Sequence, residues 1–299
     1  MSTVVVPRRR RLTAPKIAPY LFILPNMLVF SIFTIWPAVS GFNLSFYDSS
    51  DGLKFKSVGT GNYKEILSDS EFWDAARATA IYTVGFVLIS AVLATALGLL
   101  LNAQRRGRGA ISAAYFLPVL ISPVVVGVIW QAALDRNTGL VNQALSSVGL
   151  GHPGWLINSK LALVAVIFVG TWIHLGFYTM IILSGLQGID TSVYEAAKLD
   201  GASEWQKLRT ITLPLLRPTM MVVIILATIT GFQSFDFIYT LTGGGPIGAT
   251  TLIVQYIYEH AFSTPIQYGL ASAAGVILFI VVFAITLLNY GSGRRRDAI

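Results

Sequence analysis

The sequence predicts an all-α membrane protein with six transmembrane helices and both termini cytoplasmic, and three observations carry that expectation. Only 12% of the 299 residues are charged while 54% are hydrophobic, whereas soluble domains carry about 25% charge. The uncharged residues gather into runs long enough to cross a bilayer, which takes about 20 residues of helix. The basic residues fall between those runs in a one-sided pattern.

Asp, Glu, Lys and Arg are absent from 17–47, 78–104, 109–134, 161–189, 218–235, 237–258 and 260–293. All but one of these runs hold an apolar stretch of spanning length. The exception is 237–258, interrupted by Gly243-Gly244-Gly245-Pro246. In lipid every backbone group must be satisfied internally, which leaves helices or closed barrels. Barrel strands would be shorter and would alternate strictly, so helices are expected.

Span 1 covers 17–42, with Pro25 and Pro37 as kinks. Arg8, Arg9, Arg10 and Arg11 precede it, as in a secretion signal, but the apolar stretch is too long and no small-x-small site closes it. It reads as an uncleaved first span. A polar segment, 47–71, leads to span 2 at 73–101, and a basic turn, 104–109, leads to span 3 at 110–134. Segment 135–160, rich in Asn, Gln, Ser, Gly and Pro, reads as an interfacial loop with one short helix. Spans 4, 5 and 6 follow at 161–186, 218–241 and 268–290. The chain thus divides into a basic cytoplasmic tail (1–16), a membrane domain (17–290) and a second basic tail (291–299).

With the N-terminus inside, the inner segments collect 15 of the 21 basic residues, as cytoplasmic loops do. Lys54, Lys56, Lys64, Arg77, Arg136 and Lys160 remain outside. The excess basicity therefore reads as topology, and nucleic-acid binding is not expected because the arms abut spans and lack interleaved aromatics. There is no cysteine, which excludes disulfides and thiolate metal sites.

Segment 187–217 differs from the other connections. It is amphipathic and carries both signs of charge. Ser192-Val193-Tyr194-Glu195 and Ser203-Glu204-Trp205-Gln206 have the form of two capping boxes. Gly201 stands between them where a helix stop belongs, and Pro214 and Pro218 suit a restart into span 5. A helix–turn–helix at the cytoplasmic face follows, between helices 4 and 5, with Tyr194, Leu199, Trp205, Leu208 and Ile211 as its apolar side. Such a pair can dock onto a partner or rest on lipid headgroups with Trp205 as an anchor.

Glu195-Ala196-Ala197-Lys198-Leu199-Asp200-Gly201-Ala202, followed by Ile211-Thr212-Leu213-Pro214 and Arg217-Pro218, resembles the EAA loop of binding-protein-dependent ABC importer permeases. Over nearly its whole length the chain is similar to the maltose-type sugar permeases. Phe116-Leu117-Pro118, the run from Leu241 through Thr242 to Pro246, and Tyr268-Gly269-Leu270-Ala271 fit that pattern. The resemblance implies that the helix pair is a coupling-helix pair docking on a cytoplasmic ATPase subunit, through Glu195, Ala196, Ala197, Asp200, Gly201 and Pro214. It implies ATP-driven switching between inward- and outward-facing states, an extracytoplasmic binding protein that delivers substrate, and a second homologous permease, most simply a different chain. From the residues alone, Ala196 and Ala197 are small enough to seat in a cleft. Glu195 can pair with a basic partner residue or cap its own helix, and Asp200 can cap the second helix or dock.

The chain has no Gly-Lys dipeptide, so it lacks the phosphate-cradling G-x-x-x-x-G-K-[ST] loop. ATP and Mg are expected on the partner ATPase, and neither catalytic residues, nor a metal site, nor a cofactor is expected here.

Polar groups at bilayer depth usually face the bundle interior. Those in spans 4 and 5 are the candidate substrate path: Trp172, His174, Tyr178, Thr230, Gln233, Ser234 and Asp236. The resemblance implies that the helices flanking the EAA loop build the substrate site, with Trp172 matching a family aromatic. His174, Gly231 and Asp236 differ from the residues of a maltose site. An aromatic ring with hydroxyl and amide partners suits a sugar. Thr228 and Thr230 can instead bond back to their own helix, His174 can be a satisfied interhelical bond, and Asp236 can be hydrated. The outer segments after spans 3 and 5 carry almost no basic residues, which favours a neutral sugar over a glycerol phosphate ester. A secondary transporter would show paired broken helices from repeats, and no second EAA segment occurs. A membrane enzyme would cluster its acids and histidines, whereas His152, His174 and His260 are dispersed.

Overall fold

The computed structural model describes residues 14–49, 51–103 and 108–294. Arg8, Arg9, Arg10, Arg11, Arg105, Arg106, Arg295 and Arg296, on which part of the topology rests, lie outside the described residues, as do most of both basic tails.

The first apolar helix is built from α1 (Ala14–Phe30) and α2 (Trp36–Leu44), joined by a π-helical turn at Ser31–Ile35. Pro37 accounts for the turn: its ring lacks an N–H and crowds the carbonyl four residues back, and widening to i→i+5 relieves both. A short hairpin follows, β1 (Tyr47–Asp48) against β2 (Lys56–Ser57), with Tyr47 opposite Ser57. Next come α3 (Gly61–Ser68), α4 (Ser70–Ala103), α5 (Arg108–Phe116), a 3-10 turn at Leu117–Leu120, and α6 (Pro123–Ala133). Then α7 (Leu140–Ser147) supplies the short helix expected in the loop before α8 (Ser159–Gln187). The remainder is α9 (Thr191–Leu199), α10 (Glu204–Lys207), a second π turn at Leu208–Thr212, α11 (Leu213–Phe232), α12 (Asp236–Leu241), α13 (Ile253–Phe262) and α14 (Tyr268–Arg294).

Among the described residues, five helices are long and apolar enough to cross a membrane, and a bent pair makes a sixth if taken as one span. Three corrections to the expected crossings follow. The third run is not a rod: Ile111–Leu120 and Pro123–Ala133 meet at 103°, because Pro118 and Pro123 withhold N–H groups on either side of the turn and Ser122 turns extended there. The fifth helix does not restart at Pro218. It runs unbroken from Glu204, with Pro214 in the first turn of α11 and Pro218 inside it. Nor does it reach residue 241, since it stops at Phe232 and resumes as α12.

The core lies where α4, α8 and α11 pack together, joined by α6 and α12. Small residues bring the helices close, as membrane packing favours. A methyl on Gly98 of α4 would stand 2.6 Å from Ile182 Cγ2 of α8, and one on Gly231 of α11 would stand 2.8 Å from Thr83 Cγ2 of α4. Where α6 crosses α12, Thr240 fills the space at Gly127, and its hydroxyl donates to the Val124 carbonyl at 3.1 Å.

A smaller cluster of Ile66, Phe72, Tyr256, Leu270 and Ala274 ties α3, the start of α4, α13 and α14 together at one end of the bundle. There the Tyr256 hydroxyl donates to Asp69 Oδ2 at 2.6 Å, and the Ile253 N–H donates to Thr79 Oγ1 at 2.8 Å. The helix pair α9–α10 lies in the connection from the C-terminal end of α8 to α11.

Candidate functional site

Two loci hold the residues singled out above. The first is the helix pair. Asp190 caps α9, its carboxylate accepting from the Ser192 N–H at 2.9 Å. Those bonds to Ser192 hold its carboxyl below the usual aspartate range. The cap expected at Ser192 with Glu195 is therefore not used. Glu195 is exposed and its side chain makes no hydrogen bond among the described residues, which removes the capping alternative for it. The second capping box forms as expected: the Gln206 N–H donates to Ser203 Oγ at 3.3 Å, and the Ser203 N–H donates to Gln206 Oε1 at 2.7 Å. Asp200 ends α9 and does not cap α10.

Between the helices Gly201 takes φ +77°, a left-handed conformation that glycine adopts without steric cost. It lets the Ala202 N–H reach the Ala197 carbonyl at 2.9 Å, closing α9 as a Schellman turn. Glu195, Ala196, Asp200 and Gly201 are thereby exposed, with Ala197 half-buried beside them. Of the expected apolar side, Tyr194, Leu208 and Ile211 face inward, but Leu199 and Trp205 are 89% and 67% exposed. Pro214 is half-buried at the foot of α11. Tyr194 does something the sequence did not reveal. Its hydroxyl bonds Thr212 Oγ1 at 3.0 Å, fastening α9 to the π turn at that foot.

The second locus lies inside the bundle. His174 stands 5.6 Å from the Phe86 ring and 6.1 Å from Tyr178 between ring centres. Phe86 stacks on Tyr82 at 5.7 Å, and the Tyr82 and Ser234 hydroxyls are 3.1 Å apart. Thr230 is the side chain facing the Tyr178 hydroxyl, which is buried and makes no hydrogen bond of ordinary geometry among the described residues. The hydroxyl of Thr83 is buried and unpaired in the same sense. So α4, α8 and α11 bring His174, Tyr178, Thr230 and Ser234 together around Tyr82 and Phe86. Buried polar groups without partners are uncommon, and two in one region suit a place that water or a polar solute reaches.

Three candidates stand apart. Trp172 packs edge-on against Trp130 at 5.6 Å, and Trp130 against Phe168 at 5.2 Å. With Ile89 and Leu93 it lines an apolar recess of about 300 Å³. Two residues along a helix are about 200° around it, so Trp172 and His174 face opposite ways. Gln233 and Asp236 flank the break between α11 and α12 and are exposed. The His174 Nδ1 contacts its own helix, 3.0 Å from the Gly170 carbonyl, and not a neighbour. Thr228 bonds back to the Ile224 carbonyl at 2.7 Å.

Comparison with known proteins places this geometry in context. Residues 87–297 match the family described as binding-protein-dependent transport system inner membrane component. The chain is 35% identical over 280 residues to the trehalose/maltose transport system permease protein MalF of Thermococcus litoralis, covering 93% of this chain and 94% of that protein. It is 30% identical to the sn-glycerol-3-phosphate transport system permease protein UgpA of Agrobacterium fabrum, with 97% of each chain covered. Among solved structures, a bacterial ABC transporter involved in the import of the acidic polysaccharide alginate superposes with a TM-score of 0.81 at 26% identity, covering 93% of this chain and 95% of that one. That transporter has also been seen in complex with an alginate pentasaccharide-bound periplasmic protein.

Proposed function

Because the chain belongs to the family of inner membrane components of binding-protein-dependent transport systems, we propose that it forms part of the translocation path for a sugar, driven through α9–α10 by a separate ATPase. The chain is a multi-pass membrane subunit of an ABC importer, a translocation component rather than an enzyme. In this reading both termini and α9–α10 face the cytoplasm, and α3, α7 and α13 face the binding protein. ATP and Mg sit on the ATPase subunits, and a second, different permease completes the path.

One observation carries the coupling role: the exposed, small-residue surface of Glu195, Ala196, Asp200 and Gly201 is fastened to the foot of α11 by the Tyr194–Thr212 bond. A force on that surface reaches a membrane helix directly. For the cargo, His174, Tyr178, Thr230, Ser234, Gln233 and Asp236 offer rings and hydrogen-bonding groups of the kind that bind sugars, while Trp172 supports the wall from its apolar side. The trehalose/maltose permease and the alginate transporter among its relatives act on saccharides. The UgpA relative favours a second reading, a glycerol phosphate ester.

Glu195→Arg or Gly201→Asp should abolish uptake while the chain still inserts and its importer assembles. Normal uptake by either variant with the ATPase bound would refute the coupling role. Uptake assays with trehalose, maltose, lactose and glycerol 3-phosphate separate the two cargo readings.

A further inference from the structure

Outside the cluster within the bundle, a second group of aromatic rings lies on α12 and α13. Phe235 stands 5.3 Å from Tyr239 and 5.0 Å from Tyr258, Tyr239 stands 5.5 Å from Tyr258, and Tyr258 stands 5.2 Å from Phe262. Phe235, Tyr239 and Tyr258 contact one another as a triangle, and Phe262 extends it from Tyr258. It begins at the break after α11, beside Ser234, and ends at the last residue of α13. It is not part of the core: Tyr239 and Phe262 are 44% and 68% exposed, and Phe235 and Tyr258 are half-buried.

The polar groups on this series distinguish its occupant. The hydroxyls of Tyr239 and Tyr258 make no hydrogen bond among the described residues, nor do the side chains of Gln233 and Asp236 at its inner end. Asp236 and Tyr239 lie one turn apart on the exposed side of α12. Lipid tails or a dry helix contact would leave a phenol, an amide and a carboxylate unpaired, which is costly. Water alone would leave Tyr239 and Phe262 exposed and Phe235 and Tyr258 only half covered, which is also unfavourable. A saccharide meets both requirements, since its C–H faces cover rings while its hydroxyls pair with phenol, amide and carboxylate.

We propose that Phe235, Tyr239, Tyr258 and Phe262 form an aromatic track on which a saccharide stacks as it moves between the outer end of α13 and the break between α11 and α12. Gln233 and Asp236 take its hydroxyls at the inner end. The track rests on the reading of the chain as a sugar importer subunit, and it adds the route by which the sugar reaches the path.

The test uses the whole importer in proteoliposomes, with its second permease, ATPase subunits and binding protein, and trehalose, maltose and lactose as probes. The measured quantity is sugar taken up per ATP hydrolysed, which unfolded molecules do not affect because they contribute to neither. Replacing Tyr239 and Tyr258 together by Leu should lower that ratio about tenfold, equivalent to about 1.4 kcal/mol at the translocation barrier. Replacing both by Phe keeps the stacking faces but removes the phenols, and should lower the ratio by less than the Leu pair does. An unchanged ratio in the Leu pair would overturn the track. So would a parallel loss of uptake and hydrolysis with the second permease missing on co-purification, which would make the rings a contact between permeases. Wild-type importer that carries glycerol 3-phosphate but none of the three sugars would overturn the sugar reading and the track together.

Discussion

Tyr194→Phe removes a single oxygen, the one that fastens α9 to the foot of α11. The partner residue, Thr212, is 6% exposed, and its Oγ1 lies 3.0 Å away. Thr212 also donates to the Lys207 carbonyl at 3.3 Å, so losing Tyr194 does not leave it unpaired. The cost therefore stays at the net value of a neutral hydrogen bond, about 1 kcal/mol, and not at the higher cost of an orphaned buried group. If α9 transmits movement through this bond, about 1 kcal/mol corresponds to roughly a fivefold fall in sugar transported per ATP hydrolysed. Binding-protein-stimulated hydrolysis should continue, because the surface of Glu195 and Ala196 proposed to dock is untouched. Tyr194→Ala, which also removes the ring, should fall further. Uptake and hydrolysis that remain in their wild-type proportion in the Phe variant would refute the transmission argument, and an unchanged melting temperature alongside would show that the bond contributes nothing.

Gly98→Ala places a methyl 2.6 Å from Ile182 Cγ2 and 3.3 Å from its Cβ. The α4–α8 contact must open, at about 1–3 kcal/mol, and the purified protein should melt at a lower temperature; a wild-type melt would mean that Ile182 finds another rotamer. Ile247 has φ +52° and is fully exposed, a conformation that costs a non-glycine residue about 1–2 kcal/mol. Ile247→Asn loses no packing and should raise stability by about 1 kcal/mol, measurable by thermal or chemical denaturation. The Asp190 carboxyl is depressed in the folded protein by its bonds to Ser192. Its contribution is therefore fully present above the ordinary aspartate value of 3.8 and is lost as pH falls through the lower folded value. Asp190→Asn keeps an N-cap without a charge to titrate, so a comparison of melting temperatures at pH 7 and pH 3 should show a smaller acid-induced drop in the variant.

Much of the fold could be read from the chain because bilayer spans leave long uncharged runs, and local capping chemistry marked the helix pair. The second capping box, Ser203 with Gln206, formed as written. The first did not, because Asp190 stands two residues upstream of Ser192 and an N-terminus needs only one cap. Run length is blind to direction, so it does not reveal the bend between Leu120 and Pro123. Helix α13 was hidden for a different reason: the glycines before it suggested a turn-rich loop, while its apolar residues face α14 and α4. Within the candidate path, His174, Tyr178 and Ser234 stand out in the sequence because they are polar in apolar spans. Tyr82 and Phe86 were missed because an aromatic residue on a span reads as packing. Trp172 and His174 lie two residues apart on span 4, and helical geometry turns them to opposite sides.

The fifth membrane helix is continuous from Glu204 to Phe232, 29 residues and about 43 Å long at the α-helical rise. Its first turn is the capped α10 and its last residue borders the break beside Ser234 and Phe235. A tilt of about 5° about its foot displaces the far end by about 4 Å over that length, comparable to the spacing between successive aromatic rings. In the proposed reading, one continuous helix thus spans the distance between the surface offered to the ATPase and the point where sugar enters the bundle.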